Sequence, residues 1–507
     1  MAKNFIPCDR DQQRLLPTDM RKWLPKNHLV WFVIDSVKRL NLDAFYRVYR
    51  DDGWGRAAYN PTMMVTLLLY AYSIGVRSAR EIERRTIEHA PFRIITDDRI
   101  IDHATICRFR TRHRDALTEL FVGVLGLCTE AGIVRPGIVA LDGTKVAANA
   151  SAHRNVTREQ LEEFARRVFD EAEAIDARED ELYGDKRGDE IPEHLVDEAA
   201  RIEWLKNKIV ERQLDADART KNGTQRKARV NTTDPDSALQ KAPKGYLQGY
   251  NGQLAVTPEQ IVVAADLTTD NNDNSQLKPM VTHARDNLEA VGAGDIGTVV
   301  ADAGYFDEPN TFLDLGPRLL ITPVSSRNLD DAIAAREPVV VDSDEHARWV
   351  ENVERAQHQA DIRQRVIDGY VAGQVTAREA VQALGVTIGY VYALKWRLTR
   401  RGHLRKPPPP PPPPSRPSAT QVMLDRLAEP GAVDVYRMRA QTVEPVIGQL
   451  KHNRGLRQLL HRGEEACRCE FIMMTTAHNL RKVWTSCRGS LGNVFRALLS
   501  PTAPAAF

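Results

Sequence analysis

The 507-residue chain has six cysteines, Cys8, Cys107, Cys128, Cys467, Cys469 and Cys487, and no Cys-x-x-Cys pair among them. Finger-type zinc sites and dithiol redox motifs need such pairs, so neither is supported, and the thiols read as reduced in a cytosolic protein. No uncharged run approaches the length of a membrane span, and the first ten residues, which include Lys3, Asp9 and Arg10, lack the apolar stretch of a secretory leader. An excess of one charge sign is also missing, since the formal net charge is +2. That total hides a segregation. Residues 159–203 carry seventeen acids against six Lys and Arg, 395–406 carry six Lys and Arg with no acid, and 451–488 carry eight against three acids. Basic segments of this kind are either solvated faces or polyanion-binding ones.

What is present begins with a 42% apolar fraction, enough to bury a real core in a chain of several modules. Residues 1–135 read as helical. Pro61–Tyr72 is a dense apolar helix with Pro in its first turn, and helices follow at Ser78–Glu83 and Asp102–Arg110, the latter two helix-turn-helix-like, with Ser78 and Asp102 as caps and Ile106 and Phe109 in the core. Ten arginines and six acids between Arg77 and Arg114 make a DNA-facing surface one option and a plain helical bundle the other.

Ile138–Thr144 is a short apolar run bounded by Pro136-Gly137 and Gly143 and ending in Asp142, the pattern of a strand buried on both faces. Leu161, Ala165, Val168, Ala172 and Ile175, then Leu195, Ala199, Ile202 and Ile209, give two coiled-coil-like stripes around a turn-rich break, predicting an antiparallel helical hairpin over 156–213. A basic loop with Arg219, Lys221, Arg226, Lys227 and Arg229 follows. Gly249–Val256 and Ile261–Leu267 flank Thr257-Pro258-Glu259-Gln260 as a hairpin; Ser275–Asn287 reads as a helix, and strands end at Asp302 and at Pro323. Three antiparallel strands followed by strands alternating with helices, the first strand central, is the ribonuclease-H-like order. Thr376–Arg397 has helix-turn-helix character, with a Thr376/Glu379 capping box and Gly385 at the turn. Pro407–Pro414 is a stiff spacer, and helices are predicted over Asp434–Lys451 and Ala466–Trp484.

Asp142, Asp302 and Glu444 thus come from two strand ends and a helix. Cutting a phosphodiester requires an activated attacking oxygen and a stabilised leaving one, and two Mg²⁺ ions bridged by carboxylates supply both. Mg²⁺ needs few protein ligands, so three acids suffice, Asp142 bridging and Asp302 and Glu444 each completing one ion. Asp266, Asp270 and Asp273 read as turn and cap residues, and Asp234 and Asp236 as outer support of the site.

Asp142 in Leu-Asp-Gly-Thr, Asp302 in Ala-Asp-Ala-Gly-Tyr-Phe, and Tyr436, Arg439, Glu444 and Lys451 together resemble a bacterial insertion-sequence transposase of the DDE class with the Tyr-Arg-Glu-Lys signature. Thr233-Asp234-Pro235-Asp236, Gly249-Tyr250-Asn251 and Ala477-His478-Asn479-Leu480 fit that setting. Four residues separate Arg439 from Glu444 where the common signature has three, with Arg437 as the substitute, while the six before Lys451 match. The resemblance implies cutting at transposon ends and joining of the 3′-hydroxyl to target DNA, with Mg²⁺ replaceable by Mn²⁺. It further implies double-stranded DNA as partner, a homo-oligomer assembled on it, and a cytoplasmic, nucleoid-associated location. Tyr436, Arg439 and Lys451 would touch DNA, as would Lys395, Arg397, Arg400 and Arg401 of the helix-turn-helix. The alternatives are a related nuclease that does not join strands and a transposase-derived protein that only binds DNA.

The predicted fold is α+β, a ribonuclease-H-like mixed-sheet core with an N-terminal helical domain and two helical insertions. The predicted division is an N-terminal helical region over 1–135, the core over 136–155 and 231–345, and the hairpin and basic loop over 156–230. The helix-turn-helix and proline linker span 346–420, the closing core helices 421–490, and a tail 491–507.

Overall fold

Among the described residues up to 130 helices predominate, beside one short parallel pair of strands, Phe5–Ile6 with Ala58–Tyr59. The computed structural model describes residues 5–6, 19–50, 57–161, 163, 198–219, 228–242, 245–336, 343–401 and 418–487. α1 (Leu29–Val37) lies beside α2 (Pro61–Ser73), in which every residue but Thr62 is buried, so α2 is a central helix. Pro61 occupies the first turn, where its missing N–H is no loss, and Asn60 Oδ1 accepts from the backbone of Thr62 and Met63. α3 (Ala79–Glu88) and α4 (His103–Arg112) are capped by Ser78 and Asp102, the latter accepting from Thr105 N at 2.8 Å. A short helix, Ala90–Ile95, separates them, so the pair is more than a simple helix-turn-helix. Ile106 and Phe109 point into the core, and α5 (Arg114–Glu130) leads to the sheet.

The strands of the main sheet are β1 (Ile138–Ala147), β2 (Ala238–Ala242), β3 (Gly245–Val256), β4 (Val262–Thr268), β5 (Thr298–Ala301) and β6 (Arg318–Ile321). β1 is central. It pairs in parallel with β5, which pairs in parallel with β6, and antiparallel with β3, whose other edge is shared by β4 and β2. The fold is therefore α+β with a mixed sheet, and Val139, Ala140, Leu141, Val299 and Val300 are wholly buried in it. Ala140 stands opposite Val300, so two residues further along each strand Asp142 and Asp302 come level. α6 (Leu277–Ala290) packs on β4.

Two smaller apolar clusters stand apart from the main core. Leu161, Leu205, Ile209 and Val230 join the helix Glu198–Arg219 to its surroundings; most of the partner helix predicted for the hairpin lies outside the described residues, as do 220–227 of the basic loop and the proline run. α7 (Ser343–Val371), α8 (Ala377–Leu384) and α9 (Ile388–Arg401) share a cluster of Ile367, Ala380, Val391, Leu394 and Leu398. The Thr376/Glu379 capping box forms, and Gly385 takes φ 61°, a conformation that favours glycine at a helix end.

α10 (Ala432–Gly448) crosses β1, and α11 (Glu464–Ser486) runs through the main core against α2, α5 and β4. Asn479 on α11 acts as a surrogate strand residue, accepting from Val262 N at 2.9 Å and donating to Val262 O at 2.7 Å. His478 contacts the carbonyl of Gln260 in the β3–β4 turn at 2.8 Å. Glu470, 1% exposed, accepts from Arg77 at 2.6 Å, from His461 Nδ1 at 2.9 Å and from the Leu460 and His461 amides. Burial pushes its carboxyl up, but His461, Arg77 and the backbone donor outweigh burial and hold it at about 2. Arg77 also donates to Gln458 O and Gly455 O, so one guanidinium ties the N-terminal helices to the segment before α11. Removing one member of a buried pair leaves the other charge uncompensated. Glu470→Gln is expected to lower the unfolding free energy by about 3–5 kcal/mol, read by urea denaturation. A loss under about 1 kcal/mol, the value of a surface pair, would show that the link carries no weight.

Candidate active site

Asp142 and Asp302 leave neighbouring parallel strands at the same level. Asp142 is mostly buried, with its side chain 16% exposed, and Arg439 of α10 donates to its Oδ2 at 3.0 Å. The same guanidinium lies 3.5 Å from Glu444 Oε1, so Arg439 links an acid of the sheet to an acid of the helix. Burial is the largest influence on the Asp142 carboxyl and, with Asp302 adding to it against the opposing pull of Arg439, pushes it up to about 7. Asp302 turns back to accept from Gly304 N at 2.9 Å. Glu444 is the most open of the three, at 58% exposure, and precedes Pro445, whose ring nitrogen has no proton to give to the preceding helical turn.

Tyr436 is 4% exposed and interacts with Arg439 and Thr322, forming the wall behind the guanidinium. Lys451, in a π-helical turn that continues α10, donates to the carbonyl of Lys145 at 2.7 Å and lies within the field of Asp142. Arg437, the substitute for Arg439, instead pairs with Asp330 at 2.7 Å on the surface. The one-residue departure in spacing therefore leaves Arg439, and not Arg437, at Asp142. Lys395 lies on α9, its ammonium 4.5 Å from the Tyr370 ring centre. Arg397, Arg400 and Arg401 continue α9, but their side chains lie outside the described residues.

Of the acids read as turn and cap residues, Asp270 accepts from Ser275 and Gln276, whereas Asp266 lies within β4 and pairs with Arg468, so it is neither turn nor cap. Asp273 departs from that expectation. It precedes a helical turn without capping it by its side chain. Its Oδ1 instead accepts from Asn251 at 2.6 Å and Gln253 at 2.7 Å on β3, beside Asp142 and Asp302. The trace of it in the sequence is a pair of amides two residues apart, Asn251 and Gln253, on one face of β3. Asp234 and Asp236 have another task. Asp234 accepts from Tyr250 and from Gly463 N, and Asp236 from Glu464 N, so two acids meet the first N–H groups of α11, where negative charge is favoured.

Among the described residues no group of three or more His, Cys, Asp or Glu is arranged to hold a metal ion. Asp142 and Asp302 by themselves are hard oxygen donors, side by side, and burial together with the neighbouring Asp302 raises the proton affinity of Asp142. That suits Mg²⁺, which binds through one or two carboxylates and keeps its waters. Glu444 joins them through Arg439 and not directly. Among the described residues no helix is long and apolar enough to cross a membrane.

No curated protein and no solved structure matches the chain. Two family models do: the family described as Transposase domain (DUF772) over residues 18–112, and that described as Transposase DDE domain over 414–484. The second match contains Tyr436, Arg439, Glu444 and Lys451, and the Arg77–Glu470 pair joins it to the first. Asp142 and Asp302 fall between the matches, and the sheet register brings them to Arg439. These matches and this geometry support an insertion-sequence DDE transposase.

Proposed function

We propose that this transposase cuts DNA at the ends of its element and joins the freed 3′-hydroxyl to target DNA by metal-assisted phosphoryl transfer. The observation that carries the proposal is the convergence of Asp142, Asp302 and Glu444 around Arg439. The strand order β6-β5-β1-β3-β4, with β1, β5 and β6 parallel, supports a ribonuclease-H-like core. The N-terminal helices and the α7–α9 module are its accessory parts, with several copies assembled on the DNA.

Asp142 and Asp302 would hold the divalent cation, Mg²⁺ or Mn²⁺, with Glu444 supplying the third carboxylate from α10. A bound cation pair activates the attacking oxygen and stabilises the leaving one. Arg439 neutralises Asp142 and fixes its direction, while the wall made by Tyr436 keeps the guanidinium from turning away. Lys451 is partly buried beside Asp142, where its ammonium offers a fixed positive charge to an incoming phosphate.

On a plasmid carrying the sequences that flank the gene, the wild-type protein is expected to cut and join in Mg²⁺. Asp142→Asn, Asp302→Asn and Glu444→Gln should each reduce cutting by roughly 10²–10³-fold or more while DNA binding persists. Near-normal cutting by one variant would remove that residue from the site. Cutting without joined product would leave a nuclease.

The Asp142 carboxyl binds its proton more tightly in the folded chain, at about 7, than at its ordinary 3.8. Its contribution to stability is therefore complete below about pH 4 and is lost as pH rises through about 7. Without divalent cations, the stability of wild type relative to Asp142→Asn should fall by roughly 2–4 kcal/mol between pH 4 and pH 8. A pH-independent difference in denaturation midpoints would refute the shift.

For α9, docking in a major groove would leave Arg397, Arg400 and Arg401 toward the flanking phosphates. Lys395 packs on Tyr370, so the cleaner test changes only the three arginines to Ala. The slope of log affinity against log salt should flatten by about three units. An unchanged slope would make the module a structural insertion.

A further inference from the structure

We infer that Asp273 is a positioning residue of the active site, a wedge that fixes the two backbone segments from which Asp142 and Asp302 project. The inference rests on the transposase reading for its catalytic meaning, but its geometry stands on contacts within the chain.

Asp273 is a half-enclosed acid, 21% exposed, reached by donors from the sheet face beside the catalytic pair. Its Oδ1 accepts from both Asn251 and Gln253, whose cross-strand partners on β1 are Lys145 and Gly143. Lys145 Nζ stands 3.8 Å from the same oxygen and is held by the carbonyl of Asn271 at 3.0 Å. Gln253 in turn accepts from the Tyr305 hydroxyl, three residues past Asp302. One carboxylate therefore gathers β1, β3 and the loop after β5.

Two glycines make room for it. A Cβ on Gly143, the residue after Asp142, would overlap the Asp273 carboxylate and come within 2.8 Å of Gln253 Nε2. A Cβ on Gly304 would stand 3.1 Å from Asp273 Oδ2 and 3.1 Å from Asp302 Oδ1. The carboxylate is thus seated against the backbone beside each catalytic aspartate. Losing it would free both segments to shift, and a displacement of about 1 Å in a reacting group can cost on the order of 100-fold in rate.

The experiment pairs Asp273→Ala with Gly143→Ala in the full-length protein. In thermal unfolding without metal or DNA, Gly143→Ala alone should lower the midpoint, and adding it to Asp273→Ala should cost clearly less, because the methyl then enters the vacated space and only the Gln253 amide has to give way. In Mg²⁺-dependent cleavage, Asp273→Ala should lose on the order of 100-fold in kcat and need more Mg²⁺ for half its maximal rate, with KM for DNA unchanged. Asp273→Asn, which keeps an oxygen for Asn251 and Gln253, should recover most of the loss. Additive midpoint losses would show that the two residues do not meet and would overturn the wedge. Wild-type cleavage by Asp273→Ala, while Asp142→Asn is inactive, would overturn this inference alone. A wild-type protein that cuts no DNA would remove the transposase reading and the catalytic half of this inference with it.

Discussion

Two carboxylates at the same level of adjacent strands repel each other, and a low-dielectric sheet edge makes that repulsion expensive. Asp142 and Asp302 stand in this relation, and the surrounding elements serve to make it tolerable. Arg439 brings a compensating charge from α10 to Asp142, but burial, with Asp302 adding to it, still raises the Asp142 carboxyl to about 7. The same imbalance that destabilises the bare pair favours a cation between the carboxylates.

Positioning that pair requires distant parts of the chain to hold together. α11 is the common support. Its Asn479 completes the edge of β4, its first turn is met by Asp234 and Asp236, and its Glu470 binds Arg77 from the N-terminal helices. The two segments that match transposase families are thus opposite sides of one packed interior, although more than 300 residues separate Arg77 from Glu470. Long additions can then be carried between them. The α7–α9 helices pack on a separate apolar cluster, so the sheet's core does not depend on them.

Local chemistry made much of this legible in the sequence. The apolar run ending at Asp142, the turn after Val256, the Asp102 cap and the Thr376/Glu379 box each depend on neighbours within a few residues, and each forms. The level pairing of Asp142 with Asp302 depends on the register of β1 with β5, which no pattern within either strand states. Asp273 was hidden because it sits in an acid-rich loop where Asp270 has the expected local role. Its meaning comes from cross-strand partners and from the space above Gly143, which no local pattern encodes. Tyr436 was legible as a residue of the signature motif and read there as a DNA contact, but only packing reveals that it is buried against Arg439 and Thr322.

The irregular spacing of that signature has a physical counterpart in α10. Each added residue turns the following part of a helix by about 100°, so one extra position before Glu444 would swing both Glu444 and Lys451 around the axis. Glu444 remains within 3.5 Å of Arg439 because both side chains are long and Glu444 is open to solvent. Lys451 lies beyond Pro445, where Gln449–Asn453 widens into a π-helical turn. Such a turn accommodates an extra residue within a helix and is frequent at functional sites. Here it returns Lys451 to the sheet, with its ammonium on the carbonyl of Lys145. The π turn thus takes up, downstream, the one-residue change that in an unbroken α-helix would have carried Lys451 away from Asp142.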